Sequence, residues 1–183
     1  SLQSEFTGPW RPIAEREAIS NLNRAQVVLG ADFHAYAQSQ RAHFRILRDW
    51  AVGRPVVLLL ECFSSEHDKY IQQFLAGKLK EKLFLEKVNW EQQWGFPWEH
   101  YRPLLELARD RNFKVFGIGG RLGASLNTRD LKMAREVHRH ARLQPDALIY
   151  VIVGEWHLAK AHLPAKIKIA KKSQRLMTLF QDA

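Results

Sequence analysis

The sequence predicts an α/β fold, with a mostly parallel central sheet and helices on both of its faces. Short, continuous apolar runs, such as Val56–Leu60 and residues 147–154, are typical of strands that are buried on both sides. Longer segments with apolar residues at helical spacing lie between these runs, and this alternation is typical of parallel sheets. The 183 residues suffice for a single domain, 1–183, that begins with an arm over about residues 1–24.

Strands and helices follow one another in a regular order. The apolar runs predict strands over residues 25–30, 56–60, 113–117 and 147–154. Helical spacing and capping residues predict helices over residues 14–21, 38–50, 64–76, 98–111 and 128–143, with a basic amphipathic segment over 78–88. A glycine-rich loop over residues 118–127 follows the third strand, and residues 175–180 favour a β conformation.

The composition limits the classes of partner. A net charge of +9 suggests affinity for an anionic ligand, although a solvated basic surface is the favoured explanation of the charge. No nucleic-acid motif accompanies it, so nucleic acid is not an expected partner. No apolar run approaches the ~20 residues of a transmembrane helix, and the start lacks a secretory signal pattern. Cys62 is the sole cysteine, which excludes an intrachain disulfide.

Polar side chains follow each of the four predicted strands. They are Asp32 and His34 after the first strand, Glu61 after the second, Arg121 after the third, and Glu155 and His157 after the fourth. Ligands of α/β sheets bind outside the carboxyl ends of the strands, so we expect these groups to share one site. Two residues of extended chain that are two positions apart point the same way, which predicts that Glu155 and His157 face one side.

Three kinds of chemistry are open to such a cluster. Asp32, His34, Glu61 and His157 are ligands that suit Zn²⁺, Mn²⁺ or Fe²⁺. Glu61 and His34 suit acid–base catalysis without a metal, because burial shifts the pKa of a carboxyl group. A hydrogen-bonded cluster that fixes the loops explains the same residues without a ligand. Arg121 is a candidate to pair with an anionic ligand group.

The segment over residues 89–101 is unusually aromatic. Its rings, including Trp98 and Tyr101, suit either a platform for a flat ligand or the packing beneath a long loop, and the sequence leaves both open. The glycine-rich loop over 118–127 matches neither G-x-G-x-x-G nor the P-loop pattern, so a flexible connection is the favoured interpretation.

Several of these stretches together resemble the ChaN-like haem-binding uptake family of the Tiki/TraB superfamily. The resemblance covers roughly residues 25–165, and its most specific parts are residues 94–108, 129–134 and 154–157. The family's Gly-Glu-x-His motif falls on Asp32-Phe33-His34, with Asp in place of Glu. The strand-two glutamate of the family falls on Glu61, and its closing histidine falls on His157.

The resemblance implies a function as well as a fold. It implies a sandwich like that of ChaN and the erythromycin esterases, and a haem-binding domain linked to iron uptake. This chain lacks the long helical insertion of the family, since only seven residues separate Arg121 from Arg129. Tyr101 and Tyr36 are the candidate haem ligands, and Trp98 and Glu155 are further ligand contacts.

Other branches of the superfamily leave further functions open. A metal-dependent hydrolase that uses Asp32, His34, Glu61 and His157 is one alternative, and a non-catalytic binding remnant is another. The family's lipoprotein character implies the cell envelope if a signal was trimmed. A homodimer also stays open.

Overall fold

Five parallel strands form the sheet in the part of the chain that the structure describes. The structure is a computed structural model, and it describes residues 12–120, 123–167 and 175–180. The strands are β1 Ala25–Asp32, β2 Val56–Leu60, β3 Lys114–Gly117, β4 Leu148–Gly154 and β5 Arg175–Leu179. Their order across the sheet is β3-β2-β4-β1-β5.

Helices fill the connections between these strands. They are α1 Glu15–Arg24, α2 Ala37–Asp49, α3 Asp68–Leu75, α4 Glu81–Lys87, α5 Trp90–Gln93, α6 Trp98–Asp110, α7 Leu126–Leu143 and α8 Leu163–Lys166. Two 3₁₀ turns, Ser65–His67 and Glu155–Leu158, follow the ends of β2 and β4. None of the helices in the described ranges is both long and apolar enough to cross a membrane.

Alternate residues of the strands point into two separate cores. One core contains Leu58 and Tyr150 together with the aromatic side chains of α4 to α6. The other contains Leu59 and Val151, which pack against α7. Because both faces are covered, β1, β2 and β4 are buried along their whole length, which explains why they read as continuous apolar runs.

The register of the central strands determines the position of the site. β4 lies between β1 and β2, with Gly154 paired to Asp32 on one side and Ile152 paired to Leu60 on the other. The carboxyl ends of the three strands therefore stop at nearly the same height. The residue after β2, Glu61, continues this alignment, because its N–H donates to Ile152 O at 3.1 Å.

The predicted α/β class is confirmed, and the sheet is entirely parallel within the described residues. The tail at 175–179 forms β5, which adds to the sheet edge beside β1. The first strand is longer than predicted, since it continues through Asp32.

Candidate functional site

The first part of the site is a carboxylate–imidazole pair at the end of β1. Asp32 ends the strand, and its Oδ2 accepts a hydrogen bond from His34 Nδ1 at 2.8 Å. The same oxygen accepts a bond from the Tyr101 hydroxyl at 2.9 Å, and Gln40 donates its amide to Oδ1. These donors compensate the burial of the carboxylate, of which only 2% is exposed.

The turn after β1 fixes the imidazole of His34. The Ser39 hydroxyl accepts from the Phe33 N–H and donates to Ala31 O, both at 3.1 Å, so α2 holds the end of the strand. The rings of Trp94 and Phe96 contact the imidazole, with centroids 4.4 and 5.1 Å away. His34 is thus held through Nδ1 and along its ring, while 22% of its side chain stays exposed.

The second part of the site is centred on the Glu61 carboxylate. Its Oε2 accepts the Gly154 N–H at 2.7 Å, and its Oε1 lies 3.0 Å from His157 Nε2. Arg129 Nη1 lies 3.4 Å from the same Oε1. A backbone donor and two cationic side chains therefore meet a carboxylate that is 8% exposed.

Asp130, near the start of α7, completes this cluster through its contacts with two histidines. It is fully buried, and its two oxygens lie 2.5 Å from His157 Nδ1 and 2.8 Å from His162 Nδ1. Both nitrogens of His157 therefore face carboxylate oxygens, which only accept hydrogen bonds when ionised. His157 must donate from both nitrogens, so we assign it as an imidazolium.

Gly154 lies between the two parts of the site. A Cβ on this residue would come within 3.0 Å of His34 Nε2 and 3.4 Å of Glu61 Oε2. The absent side chain therefore leaves a small space that both groups border. The two carboxylate–imidazole pairs are neighbours across the end of β4.

Burial disfavours the charged forms of His34, Glu61 and His157, but the hydrogen bonds and charges of their partners have a larger effect on each pKa. Burial lowers the pKa of His34, but the hydrogen bond and charge of Asp32 leave that pKa above its usual value. Burial raises the pKa of Glu61, but His157 and the Gly154 N–H leave it below the usual value. Burial likewise lowers the pKa of His157, and Glu61 and Asp130 leave it raised.

A cavity of about 330 Å³ opens beside Glu61. Trp94 and Phe96 form an aromatic wall, and Arg129 lines the same cavity. Arg129 Nε is buried and has no hydrogen-bond partner in the described part of the chain. This cavity therefore combines a flat apolar wall with a guanidinium group.

The structure brings together four of the residues predicted for the site, Asp32, His34, Glu61 and His157. Tyr101 joins them through Asp32. Burial, and then the charge of Asp32, raise the pKa of Tyr101, so its phenol stays protonated.

Two of the other predicted ligand residues, Tyr36 and Trp98, lie apart from this cluster. Tyr36, on the same turn as His34, is 66% exposed. Trp98 is buried in the aromatic core, where its ring centroid lies 5.1 Å from that of Trp90. Arg121 lies outside the described residues.

The geometry predicted for Glu155 and His157 is wrong. Both residues belong to the 3₁₀ turn Glu155–Leu158, where the alternation of an extended strand does not hold. His157 is buried against Glu61, whereas Glu155 is partly exposed. Glu155 still affects the site, because its charge contributes to the raised pKa of His34.

The cluster does not have the arrangement of a metal centre. Among the described residues, no group of three or more His, Cys, Asp or Glu side chains is placed to hold a metal ion. The hydrogen bonds explain this finding. Both nitrogens of His157 already face carboxylates, and Asp32 already accepts from three side chains.

Sequence reasoning missed four residues that build the site, which are Gln40, Arg129, Asp130 and His162. The pair Arg129-Asp130 lay within a segment that carried the resemblance, so a signal was present. Gln40 and His162 offered none, because a single polar residue on a helix or in a loop is indistinguishable from surface until the fold is known.

The fold and site define an α/β protein with an all-parallel sheet and a charged, partly open cleft at its carboxyl edge. Residues 18–123 match the family described as haem-binding uptake, Tiki superfamily, ChaN. The chain therefore belongs to the ChaN-like haem-binding uptake family, as its motifs predicted. A comparison with curated proteins gives no significant match.

Solved structures support the same fold. ChaN of Campylobacter jejuni, described as binding haem cofacially, superposes with a TM-score of 0.62 at 14% identity, over 92% of this chain and 86% of that chain. The C-terminal region of Pasteurella multocida toxin, described as having a thiol-protease-like catalytic triad, gives 0.56 at 18% identity, over 78% of this chain. This chain spans 21% of that toxin structure. RRSP, a MARTX toxin effector domain from Vibrio vulnificus, gives 0.52 at 15% identity, over 86% of this chain and 35% of that chain.

Proposed function

We propose that this protein is a haem-binding domain of the iron-uptake kind, with its ligand at the carboxyl edge of the sheet. One observation carries the proposal. His34 is a partly exposed imidazole that is anchored through Nδ1 by a buried carboxylate and stands against an aromatic wall. A haem-ligating histidine is commonly oriented in this way, with one nitrogen on the iron and the other on a carboxylate or carbonyl.

His34 is the best placed iron ligand among the candidates. Its Nδ1 is engaged by Asp32, which leaves Nε2 for a ligand atom beside Gly154. Tyr101 is a poorer candidate, because its hydroxyl is buried and donates to Asp32. Tyr36 is exposed and lies two residues from His34, so it remains a second candidate for the iron.

The cavity beside Glu61 suits the rest of the macrocycle. Trp94 and Phe96 offer apolar ring surface to a porphyrin. Arg129 lines this cavity with a partly exposed side chain and offers its guanidinium to a propionate, the role that the sequence predicts for Arg121. The net charge of +9 favours the approach of this dianionic ligand.

The cavity volume bears on how a haem sits. About 330 Å³ lies at the small end of the roughly 300–1,000 Å³ range of ligand pockets, so a haem here keeps part of its surface exposed. ChaN of Campylobacter jejuni is described as binding haem cofacially. We therefore propose that two copies of this chain associate through their exposed haems, and light scattering with and without haemin measures this.

Titration with haemin tests the proposal. We expect a saturable shift of the Soret band, with affinity about tenfold lower in Arg129→Gln, because a charge-assisted bond to a propionate is lost. Arg135→Gln is the matched control, since Arg135 is exposed on the same helix. Absence of saturable binding in the unmodified protein would remove the proposal.

A hydrolase is the second candidate, and the Glu61 cluster favours it. Glu61 borders the cavity as a carboxylate of lowered pKa, with the imidazolium of His157 and the guanidinium of Arg129 on the same oxygen. Such a carboxylate is ionised at neutral pH and can orient a water molecule by accepting its hydrogen bond. Turnover of peptide or ester substrates that disappears in Glu61→Gln would support this function. Turnover that is absent, or unchanged in Glu61→Gln, would reject it.

A further inference from the structure

One side of α7 is basic along most of the helix. Four exposed cations recur on it at intervals of three, four and three residues, so they share one face, the basic face of α7: Lys132, Arg135, Arg139 and Arg142. The two acidic residues of the helix lie elsewhere. Asp130 is buried, and Glu136 lies at the edge of the face, where it pairs with Arg139 at 2.8 Å.

Two leucines are exposed at the ends of this basic face. Leu131 is 44% exposed and Leu143 is 65% exposed, and they are two of the six large apolar side chains that are exposed in the described part of the chain. The helix packs on the sheet through a different side, which includes Met133 and Val137. The leucines therefore add apolar surface to a side of α7 that the fold leaves uncovered.

The charge at the centre of the basic face is not neutralised by neighbouring side chains. Lys132 donates to the Gly119 carbonyl, and Arg139 pairs with Glu136. Arg135 and Arg142 form no ion pair within the residues that the structure describes. The face thus presents net positive charge to solvent and attracts an anionic surface.

We propose that α7 docks this protein on an anionic lipid surface, with its axis parallel to the membrane. The four cations lie among the headgroups, where each contributes about fivefold to the affinity. Leu131 and Leu143 enter the boundary between the headgroups and the acyl chains, as the apolar residues of interfacial helices do. The proposal goes beyond haem binding and does not depend on it.

The leucines favour a lipid surface over other anionic partners. They are about 18 Å apart along the helix, with the cations between them. A protein partner would need two separate apolar pockets at this spacing and carboxylates between them, whereas a fluid leaflet offers acyl chains and mobile headgroups at every point. Nucleic acid offers no apolar interior to a leucine, and α7 contains no Phe, Tyr or Trp to stack on bases.

Sedimentation with lipid vesicles tests the proposal in the absence of haem. We expect the unmodified protein to bind vesicles of mixed phosphatidylglycerol and phosphatidylcholine at least about tenfold more tightly than vesicles of phosphatidylcholine alone. Added salt should release it, because screening weakens attraction between exposed charges. Equal binding to the two kinds of vesicle, or no binding to the anionic vesicles, would overturn the proposal.

A pair of charge variants locates the contact. Arg135→Gln with Arg142→Gln should weaken binding to the anionic vesicles about 25-fold, since two cations are lost. Arg41→Gln with Arg45→Gln is the matched control, because it removes the same charge from exposed positions of α2, on the opposite face of the sheet. Control binding should stay within about twofold of that of the unmodified protein. Equal weakening in the two double variants would show that net charge alone attracts the vesicles, and would overturn the assignment to α7.

A leucine variant distinguishes lipid from nucleic acid. Leu131→Ser with Leu143→Ser keeps every charge, and it should weaken vesicle binding about tenfold because apolar contact with the acyl boundary is lost. Its binding to a DNA duplex, measured in parallel, should equal that of the unmodified protein. Unchanged vesicle binding in this variant, or tighter binding of the unmodified protein to the duplex than to the vesicles, would contradict the proposal. Urea denaturation checks that the variants, all at exposed positions, stay folded.

Discussion

Asp32 Oδ2 lies 2.8 Å from His34 Nδ1, so a buried carboxylate sets the orientation of a partly exposed imidazole. The pair arises from the register of the sheet, because β1 ends at Asp32 and the chain turns immediately afterwards. The same bond raises the pKa of His34 and leaves Nε2 for a ligand. The raised pKa keeps the imidazole protonated at low pH, where Nε2 cannot bind a ligand. At high pH the imidazole is neutral, and we expect Nε2 to bind a ligand there.

Haem affinity should fall as the pH falls through the raised pKa of His34, since a protonated imidazole does not bind iron. In Asp32→Asn the hydrogen-bonded charge is lost and burial remains, so that pKa falls. The midpoint of haem release should therefore move to lower pH. Soret titrations over a pH series measure the midpoint, and Glu155→Gln, which removes a weaker contribution, should shift it less. An Asp32→Asn midpoint equal to that of the unmodified protein would contradict this prediction.

Gly154→Ala should weaken haem binding with little loss of stability. The added Cβ comes within 3.0 Å of His34 Nε2, where it fills the space that we assign to the ligand atom. The contacts, at 3.0 Å to His34 Nε2 and 3.4 Å to Glu61 Oε2, require these side chains to move by only a few tenths of an ångström. Haemin titration and urea denaturation measure the two effects separately. Gly117→Ala is the contrasting variant, because its Cβ would overlap the Ser64 carbonyl and should destabilise the fold by about 1–3 kcal/mol.

Asp130→Asn should lower the free energy of unfolding by about 3–5 kcal/mol, because the amide removes one of the two carboxylates that pair with the buried imidazolium of His157. His162 loses a partner in the same variant. Asp146→Asn, at an exposed turn, is the control and should be close to neutral. Equal denaturation midpoints for the two variants would show that Asp130 does not hold a charged histidine.

Stability should also decline above neutral pH. His157 has a raised pKa in the folded protein, so its contribution is complete below its unfolded value of 6.5 and is lost as the pH rises through the folded value. Glu61 acts in the opposite direction, and its contribution is lost as the pH falls through its lowered pKa. Urea denaturation from about pH 5 to 9 should show a decline that is smaller in His157→Gln, where the raised pKa of His34 still contributes. A decline of equal size in that variant would assign the effect elsewhere.

The fold was largely predictable because the strands are buried on both faces. Their apolar runs predict both the positions of the strands and their parallel pairing. Because ligands of such sheets bind at the carboxyl ends of the strands, Asp32, His34 and Glu61 are then predicted to lie at one edge. The lateral order was not predictable. Nothing in the sequence says that β4 lies between β1 and β2, and this placement makes Gly154 the neighbour of both pairs.

Several residues of the site were predictable from the sequence, but their hydrogen-bond partners were not. Glu155 and His157 do not alternate as in a strand, because they lie in the 3₁₀ turn Glu155–Leu158. The sequence did not reveal this turn, because the same residue types occur at the end of a strand and at the start of a turn. The partners Gln40 and Asp130 reach the site from helices that are distant in sequence. Their hydrogen bonds decide which groups are free, and so they decide against a shared metal site in the described residues.

Restoration of iron binding by free imidazole tests the central claim most directly. His34→Gly removes the proposed ligand and leaves a space at the same position. We predict that this variant loses the Soret spectrum of the unmodified haem complex, and that millimolar imidazole restores it, while Tyr36→Phe keeps the spectrum throughout. An unaltered spectrum in His34→Gly, or its loss in Tyr36→Phe, would show that His34 is not the iron ligand.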